Sequence, residues 1–321
     1  MHIYTTTMKS DRRNMKKVFI DGSAGTTGLR IRERLGSRSD ITLLTIPDEL
    51  RKNPAAKAEI LNAADIVFLC LPDDAAREAV NLIQNPETAV IDTSTAHRTD
   101  ERFVYGFPEV GGRRRFIAKS KRIANPGCHA SGFIALVAPL TELGVLNNGM
   151  FLTCVSLTGY SGGGKKMIAQ YEDENRDPLL DAPRLYGLPQ THKHLPEMQK
   201  ICGLLNAPAF CPVVADHYAG METVIPLNGE ALKIPAKELP DLYREYYKTG
   251  LVRYADNADE GGFLSAGAFA GRDDMQISVF DGEERILLTA RFDNLGKGAS
   301  GAAIQNMNIL LGADETTGLN L

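Results

Sequence analysis

The apolar positions of this chain fall into two textures. In the first part, short unbroken apolar runs recur: KKVFIDG at 16–22, ITLLTI at 41–46, DIVFLCL at 65–71 and TAVID at 88–92. A strand with one wet face would alternate, so runs of this kind fit strands covered on both faces of a parallel sheet. Between them lie helical stretches at 29–35, 55–64 (with Pro54 near its start) and 73–83. Strand–helix alternation at this spacing predicts a doubly wound βαβ sheet.

After about residue 127 the texture changes. Phe133, Leu136, Val137 and Leu140 recur at i, i+3, i+4 and i+7, a helical stripe. Loops rich in Gly, Pro and Asn follow, with strand-like runs at 151–158, 213–214, 276–280 and 285–291. Strands grouped this way predict an α+β domain. A last helix, 300–311, is entered through NLGKGASG.

The first strand runs straight into Gly22-Ser23-Ala24-Gly25-Thr26-Thr27-Gly28, ahead of a helix. This GxxGxxG spacing is a variant of the dinucleotide fingerprint. The chain must turn tightly, let backbone N–H groups approach a pyrophosphate, and offer a positive helix N-terminus. The alternative is a glycine-rich turn that merely ends a strand. The second strand is followed by Asp48, Arg51 and Lys52. Two cations beside a ribose site tilt the nucleotide toward NADP, although such charges also serve simply as solvent-facing groups.

Five cysteines occur, at 70, 128, 154, 202 and 211, with no CxxC spacing. Such a set suits reduced thiols in a cytoplasm rather than a disulfide framework or a zinc site. Cys128 differs from the rest, for it follows Asn125-Pro126-Gly127 at the mouth of the predicted helix. A thiol there feels the helix dipole and nearby N–H groups, which favour the nucleophilic thiolate. The alternative is a buried structural cysteine. Downstream, YGLPQTHKHLPE at 186–197 sets His192, His194 and Glu197 close together. Imidazole suits proton transfer near neutrality, and a carboxylate can fix its tautomer. On a strand the two histidines would share a face, as a metal would want, but no third ligand is evident. Polar loop histidines are the bland alternative, which His97, His129 and His217 take by default.

Composition narrows the class. The 321 residues suffice for two domains. With 43% hydrophobic and 24% charged residues and a net charge of -4, nucleic acid is not the expected partner. The basic run at 113–115, with Lys119, Lys121 and Arg122, reads as a solvated loop. No apolar stretch reaches the roughly 20 residues that span a bilayer, and MHIYTTTMKSDRRN at 1–14 reads as a flexible leader rather than a secretory signal.

Taken in order, GSAGTTG (22–28), IDTSTAHR (91–98), YGFPE (105–109), NPGC (125–128), TGYSGGGK (158–165), THKHLPE (191–197) and DNLGKGASGAAIQNMN (293–308) make the chain resemble the N-acetyl-gamma-glutamyl-phosphate reductases, in their shorter, type 2 form. The resemblance implies a Rossmann-type domain over 15–127, completed by the C-terminal helix 296–321. It implies a second domain over 128–295, like that of glyceraldehyde-3-phosphate dehydrogenase, for catalysis, substrate and oligomerisation. It implies NADPH-dependent reduction of N-acetyl-L-glutamyl 5-phosphate to the semialdehyde in arginine biosynthesis, by a cytoplasmic homo-oligomer (dimer or tetramer) without a metal, membrane or nucleic-acid partner. By the same resemblance Cys128 matches the nucleophile, His192 the acid/base, and His194 with Glu197 its support. The loop at 161–164, including Ser161 and Gly162, matches one near nicotinamide and substrate. Arg98 matches an arginine that meets an anion, and Ser94 is placed with the cofactor loop. Longer relatives carry SADFR where this chain has STAHR, so the surroundings of Arg98 differ. The rival readings are an aspartate-semialdehyde dehydrogenase, whose cysteine turn is typically Asn-Cys-Ser/Thr, a non-catalytic nucleotide-sensing module, and, more remotely, a zinc protein.

Overall fold

The computed structural model describes residues 15–51, 53–282 and 284–321; the expected leader 1–14 and Lys52 lie outside the described residues. The chain forms two compact units.

Among the described residues, the first unit comprises 15–106 together with Arg115–Asn125 and Ala303–Gly318. Its elements are β1 (Lys16–Asp21), α1 (Thr26–Gly36), β2 (Ile41–Leu44), α2 (Pro54–Ala63), β3 (Ile66–Leu69), α3 (Asp73–Leu82), β4 (Ala89–Asp92), β5 (Val104–Tyr105) and β6 (Arg122–Ala124), with the short α4 (Arg114–Ile117) at its border. The strands form one sheet in the order β2-β1-β3-β4-β6-β5, and every pairing is parallel. The predicted βαβ alternation is therefore what folds. Every residue of β3 and β4 is buried, as central strands covered on both faces require. Phe19, Leu61, Val67, Leu69 and Val90 build the core. Helix α2 starts where Pro54 fits its first turn and Asn53 accepts from the N–H groups of Ala55 and Ala56.

The second unit comprises Phe107–Arg114, Pro126–Ala302 and Leu319–Leu321. These ranges differ from the expected 15–127 and 128–295. The segment 107–114 belongs to the second unit, the division falls after Asn125, and residues 303–318 rather than 296–321 go with the first. Its elements are α5 (Cys128–Glu142), β7 (Thr153–Gly159), α6 (Gly164–Tyr171), β8 (Arg184–Leu185), α7 (Leu195–Ile201), β9 (Ala209–Ala215), β10 (Met221–Asn228), α8 (Leu239–Tyr246), β11 (Val252–Tyr254), β12 (Met275–Gly282) and β13 (Arg285–Phe292). A π-helical turn at Gly296–Ser300 leads into α9 (Gly301–Leu311). The mixed sheet runs β11-β12-β13-β10-β7-β9-β8. Strand β10 was hidden in the sequence by Pro226. That proline lies beyond the stretch paired with β7, on a locally open side of the strand, where the missing N–H is tolerated.

Helix α5 packs against β10, β13, α7 and the π-helical turn. The four-residue stripe suggested one buried face, but every residue from His129 to Leu140 is buried. A helix apolar on all sides is an interior helix, so Cys128 stands at the start of a buried core helix. Among the described residues no helix is long and apolar enough to cross a membrane.

Candidate active site

In the first unit the three loop glycines are needed for different reasons. Gly22 has φ +86, and a Cβ there would lie 2.2 Å from the Cys70 carbonyl oxygen. A Cβ on Gly28 would meet the Gly22 carbonyl oxygen at 2.4 Å, whereas one on Gly25 would find its nearest atom at 3.5 Å. Gly25 donates its N–H to the Gly22 carbonyl at 3.0 Å and closes the turn. Ala24 and Gly25 are exposed, and Ser23, Thr26 and Thr27 are half-buried. No side chain caps α1 and no acidic residue lies in its first turn. A bare, exposed backbone loop leading into an uncapped helix N-terminus fits a pyrophosphate.

At the end of β4, Ser94 donates its hydroxyl to Asp92 at 2.8 Å, and His97 Nδ1 lies 2.6 Å from the same carboxylate. Arg98 donates from Nε to the Asn125 carbonyl at 3.0 Å and from Nη2 to the Thr93 carbonyl at 3.1 Å. Ser94 and Arg98 thus brace the loop that follows β4. Arg51 closes a short 3₁₀ turn after β2 and pairs with Asp48 at 2.8 Å.

The second unit gathers the other predicted residues. Cys128 opens α5, with Gly127 as its N-cap, and is half-buried. Glu197, buried in α7, accepts the Gly127 N–H at 3.1 Å. Its other oxygen lies 3.8 Å from His194 Nε2. One carboxylate therefore links the backbone before Cys128 to an imidazole. His192 and His194 sit in the turn before α7, not on a strand, with ring centroids 4.7 Å apart. The His194 N–H donates to His192 Nδ1 at 3.3 Å, which places the proton of neutral His192 on Nε2. Gln190 holds this turn in place. It is non-glycine at φ +56. Its amide donates to the Phe210 carbonyl at 2.7 Å and accepts the Phe210 N–H at 2.8 Å. The Phe210 ring in turn lies 5.0 Å from His192.

Ser161 is buried in a 3₁₀ turn, Tyr160–Gly163, and accepts from Asn294 Nδ2 at 3.0 Å. Asn294 in turn accepts the Gly220 N–H at 2.9 Å. At Gly162 a Cβ would approach Thr158 Oγ1 to 3.2 Å. Asp293 accepts the N–H groups of Leu295 and Gly296 at 2.6 and 2.9 Å, starting the π-helical turn. Gly298 in that turn lies against Cys128, since its Cβ would be 3.0 Å from Cys128 Cβ. The turn is anchored by Lys297, buried against Glu109 at 2.8 and 2.9 Å. Glu109 also accepts the Leu251 N–H at 3.1 Å.

His129, bland in the sequence, joins the cluster. It is buried, with Nδ1 2.7 Å from Ser156 Oγ and Nε2 2.7 Å from Tyr186 Oη. Burial, with the nearby His192 adding to it, pushes its pKa down to about 3. Among the described residues no group of three His, Cys, Asp or Glu side chains is arranged to hold a metal.

A model of the semialdehyde dehydrogenase dimerisation domain matches residues 128–294, and one of the semialdehyde dehydrogenase NAD-binding domain matches residues 5–118. An N-acetyl-gamma-glutamyl-phosphate reductase of Trichormus variabilis is 44% identical over 95% of this chain and 100% of its own length. This chain belongs to the N-acetyl-gamma-glutamyl-phosphate reductase family. A reductase of the same name from Chelativorans is 47% identical over 92% of this chain and 98% of its own. An N-acetyl-gamma-glutamyl-phosphate reductase 2 from Pseudomonas putida is 43% identical over 94% and 98%. Two solved structures show the fold this reductase shares with a wider group. One is aspartate semialdehyde dehydrogenase II of Vibrio cholerae complexed with ASA, with TM-score 0.69, 16% identity, and 92% of this chain and 98% of that one covered. The other is the Candida albicans aspartate semialdehyde dehydrogenase with NADP, with TM-score 0.66, 17% identity and the same coverage.

Sequence reasoning did not single out Tyr186, Gln190, Asn294 or the Glu109–Lys297 pair in this reductase-family site. Tyr186 and Gln190 lie in the same run as the histidines, and Glu109 and Lys297 in motifs quoted for the resemblance. None carried a spacing signal of its own, because their partners are remote in sequence.

Proposed function

We propose that this chain reduces N-acetyl-L-glutamyl 5-phosphate to N-acetyl-L-glutamate 5-semialdehyde and phosphate, through a thioester on Cys128. The observation that carries this reading is the Glu197 carboxylate, which joins the backbone of the Cys128 turn to His194. His192 takes the Cys128 thiol proton and becomes an imidazolium, the thiolate attacks the acyl carbon, the carbon–oxygen bond to phosphate breaks, and the leaving phosphate takes that proton from the imidazolium. N–H groups of the first turn of α5, outside the helical ladder, hold the carbonyl oxygen as its charge grows. The Gly22–Gly28 loop would hold a reduced nicotinamide dinucleotide, which would supply the hydride that takes the thioester to the aldehyde level. When the carbon–sulfur bond then breaks, Cys128 leaves as the thiolate and the aldehyde forms.

The Glu197 pair favours a second assignment, in which His194 takes the charged form and His192 orients the substrate. H192N and H194N separate the two, because the acid/base variant loses about 10²- to 10⁴-fold in kcat while the other mainly changes KM. NADP is the preferred nucleotide in this reading, with Arg51 facing the 2′-phosphate once released from Asp48; Ser94 and Arg98 shape the loop beside it. The chain self-associates through the second face of the mixed sheet, where Val155, Val213, Val224 and Phe280 are half-buried and Leu287 is exposed. None of the five cysteines is in a disulfide, as suits a cytoplasmic enzyme.

The deciding experiment mixes semialdehyde, phosphate and NADP with enzyme and follows NADPH absorbance. Wild-type protein should turn over, and C128A should not while still binding nucleotide. Turnover by C128A would end the thioester mechanism, and a preference for aspartate semialdehyde would replace the substrate.

A further inference from the structure

The π-helical turn that sets Gly298 against Cys128 has little to hold itself with. It carries glycine at 296 and 298, and Gly301 follows it at the start of α9. Glycine leaves a backbone its greatest freedom, and the π-helical form is rare. The loop Gly271–Asp273 lies against both ends of the turn. A Cβ on Gly296 would collide with the Arg272 carbonyl oxygen, and one on Gly301 with Asp273 Oδ1. Gly271 also donates its N–H to Asp293, whose other carboxylate oxygen starts the turn. The Asp293 carbonyl accepts the Gly298 N–H at 2.9 Å. The same loop is gripped by Asn320. The Asn320 N–H donates to Asp273 Oδ2 at 2.8 Å, the Asp273 N–H to the Asn320 carbonyl at 2.7 Å, and Asn320 Nδ2 to the Gly271 carbonyl at 2.7 Å. Every group named belongs to the second unit, to which the chain returns at Leu319–Leu321.

We propose that Asn320 is a positioning residue for Cys128, holding the loop 271–273 as the bed on which the π-helical turn lies. The inference rests on Cys128 being the nucleophile, as read above. Asn320 is itself exposed, and tying down an exposed segment for its own sake needs no buried anchor. Its anchor is nevertheless Asp273, which is completely buried. A carboxylate out of water costs much free energy unless N–H groups meet it. The Asn320 N–H is one of those donors, so it completes a buried group rather than resting on a surface. From Asp273 the path to the sulfur is short. Asp273 Oδ1 stands against Gly301, the Arg272 carbonyl against Gly296, and between those two positions Gly298 backs onto Cys128. The Lys297–Glu109 pair fixes one side chain of the turn, and the loop fixes its two ends. A loop released by Asn320 lets the glycine-rich backbone shift, and Cys128 loses the wall that limits its position on that side.

The test sets kcat, NADPH affinity and calorimetric stability beside the rate of iodoacetamide alkylation at the Cys128 peptide, read by mass spectrometry. N320P removes the N–H that meets Asp273. At a temperature where calorimetry shows it folded, it should lower kcat about tenfold or more with NADPH affinity unchanged. Its Cys128 should meanwhile be alkylated several-fold faster, because Gly298 no longer covers one side of the half-buried thiol. N320A keeps the N–H and the carbonyl and loses only the amide, so it should show both changes in the same directions, each within about threefold. A merely structural tie would lower the melting temperature of N320P and move neither rate in the folded protein, and that result overturns the proposal. A lower kcat with alkylation at the wild-type rate also overturns it, since the sulfur has not moved. Where N320P does not fold, wild-type values of both rates in N320A do the same. Turnover by C128A would instead sink the thioester reading, whatever the Asn320 variants do.

Discussion

Alanine substitution at each loop glycine separates what the fold needs from what a dinucleotide needs. At Gly22 the added methyl must sit at φ +86 and 2.2 Å from the Cys70 carbonyl. At Gly28 it would lie 2.4 Å from the Gly22 carbonyl and 3.0 Å from Ser23 Cα. Ordinary contact begins near 3.4 Å, so both sites force backbone to move by about an ångström, an overpacking of about 1–3 kcal/mol, with left-handed strain added at Gly22. At Gly25 the backbone is extended, φ -73 and ψ 164, and the nearest atom is 3.5 Å away. G25A should therefore leave thermal stability unchanged or raise it by about 0.4–1 kcal/mol through the unfolded chain. If Gly25 lies under a pyrophosphate, the methyl still blocks the backbone's approach. NADPH fluorescence titration and differential scanning calorimetry on the three variants form the assay. G22A and G28A should lose stability and affinity together. G25A should lose affinity alone, at least tenfold, about 1.4 kcal/mol. Wild-type affinity in G25A would remove the loop from the phosphate site and refute the dinucleotide reading of the fingerprint.

The remaining predictions concern the second unit. His129 has its pKa near 3 in the folded protein against about 6.5 in an unfolded chain. Between those values the unfolded state binds the extra proton, so this contribution to stability is full above about pH 6.5. It declines as pH falls, by up to about 1.4 kcal/mol per pH unit, until the folded pKa is passed. Urea titrations should show H129Q with a shallower acid decline than wild type between pH 6.5 and 4; parallel declines would mean that His129 is charged in the fold. At Gln190, Q190A removes two hydrogen bonds to the Phe210 main chain and should lower kcat several-fold and shift the pH profile, with NADPH affinity unchanged. Q190G relieves the positive φ, which costs about 1 kcal/mol or more, but lacks the clamp. Full activity in Q190G would show that the clamp does not position His192.

The sheet of the first unit was legible because burial on both faces writes a strand as an unbroken apolar run. β1, β3 and β4 stand where KKVFID, DIVFLCL and TAVID predicted them. In the second unit the pattern is mixed. β7 and β9 each alternate buried with half-buried residues, and Pro226 concealed β10. Cys128, His192, His194 and Glu197 were legible as residue types in turn and helix-start contexts. Their mutual arrangement was not, because Glu197 reaches the Gly127 N–H through packing of α7 on α5 rather than through any sequence spacing. Ser94 and Arg98 show the converse: the motif was readable, but the structure commits the Ser94 hydroxyl to Asp92 and two Arg98 donors to backbone carbonyls.

The buried Lys297–Glu109 pair explains how a half-buried thiol can be held to a fixed position. A buried ion pair gives little net stability over an apolar replacement, because desolvation offsets most of the attraction, but losing one partner strands the other charge. Such a pair is thus better at fixing register than at holding a fold together. Here it fixes the π-helical turn in which Gly298 lies against Cys128, where a Cβ would crowd Cys128 Cβ at 3.0 Å. Asp293 sets the start of that turn through the N–H groups of Leu295 and Gly296, and Asn294 extends from it to Ser161. The turn and the Glu197 carboxylate approach the Cys128 turn from different elements of one unit, and each is anchored by a buried polar contact. Polar groups are thus concentrated around the sulfur of the proposed nucleophile, where preorganisation would need them.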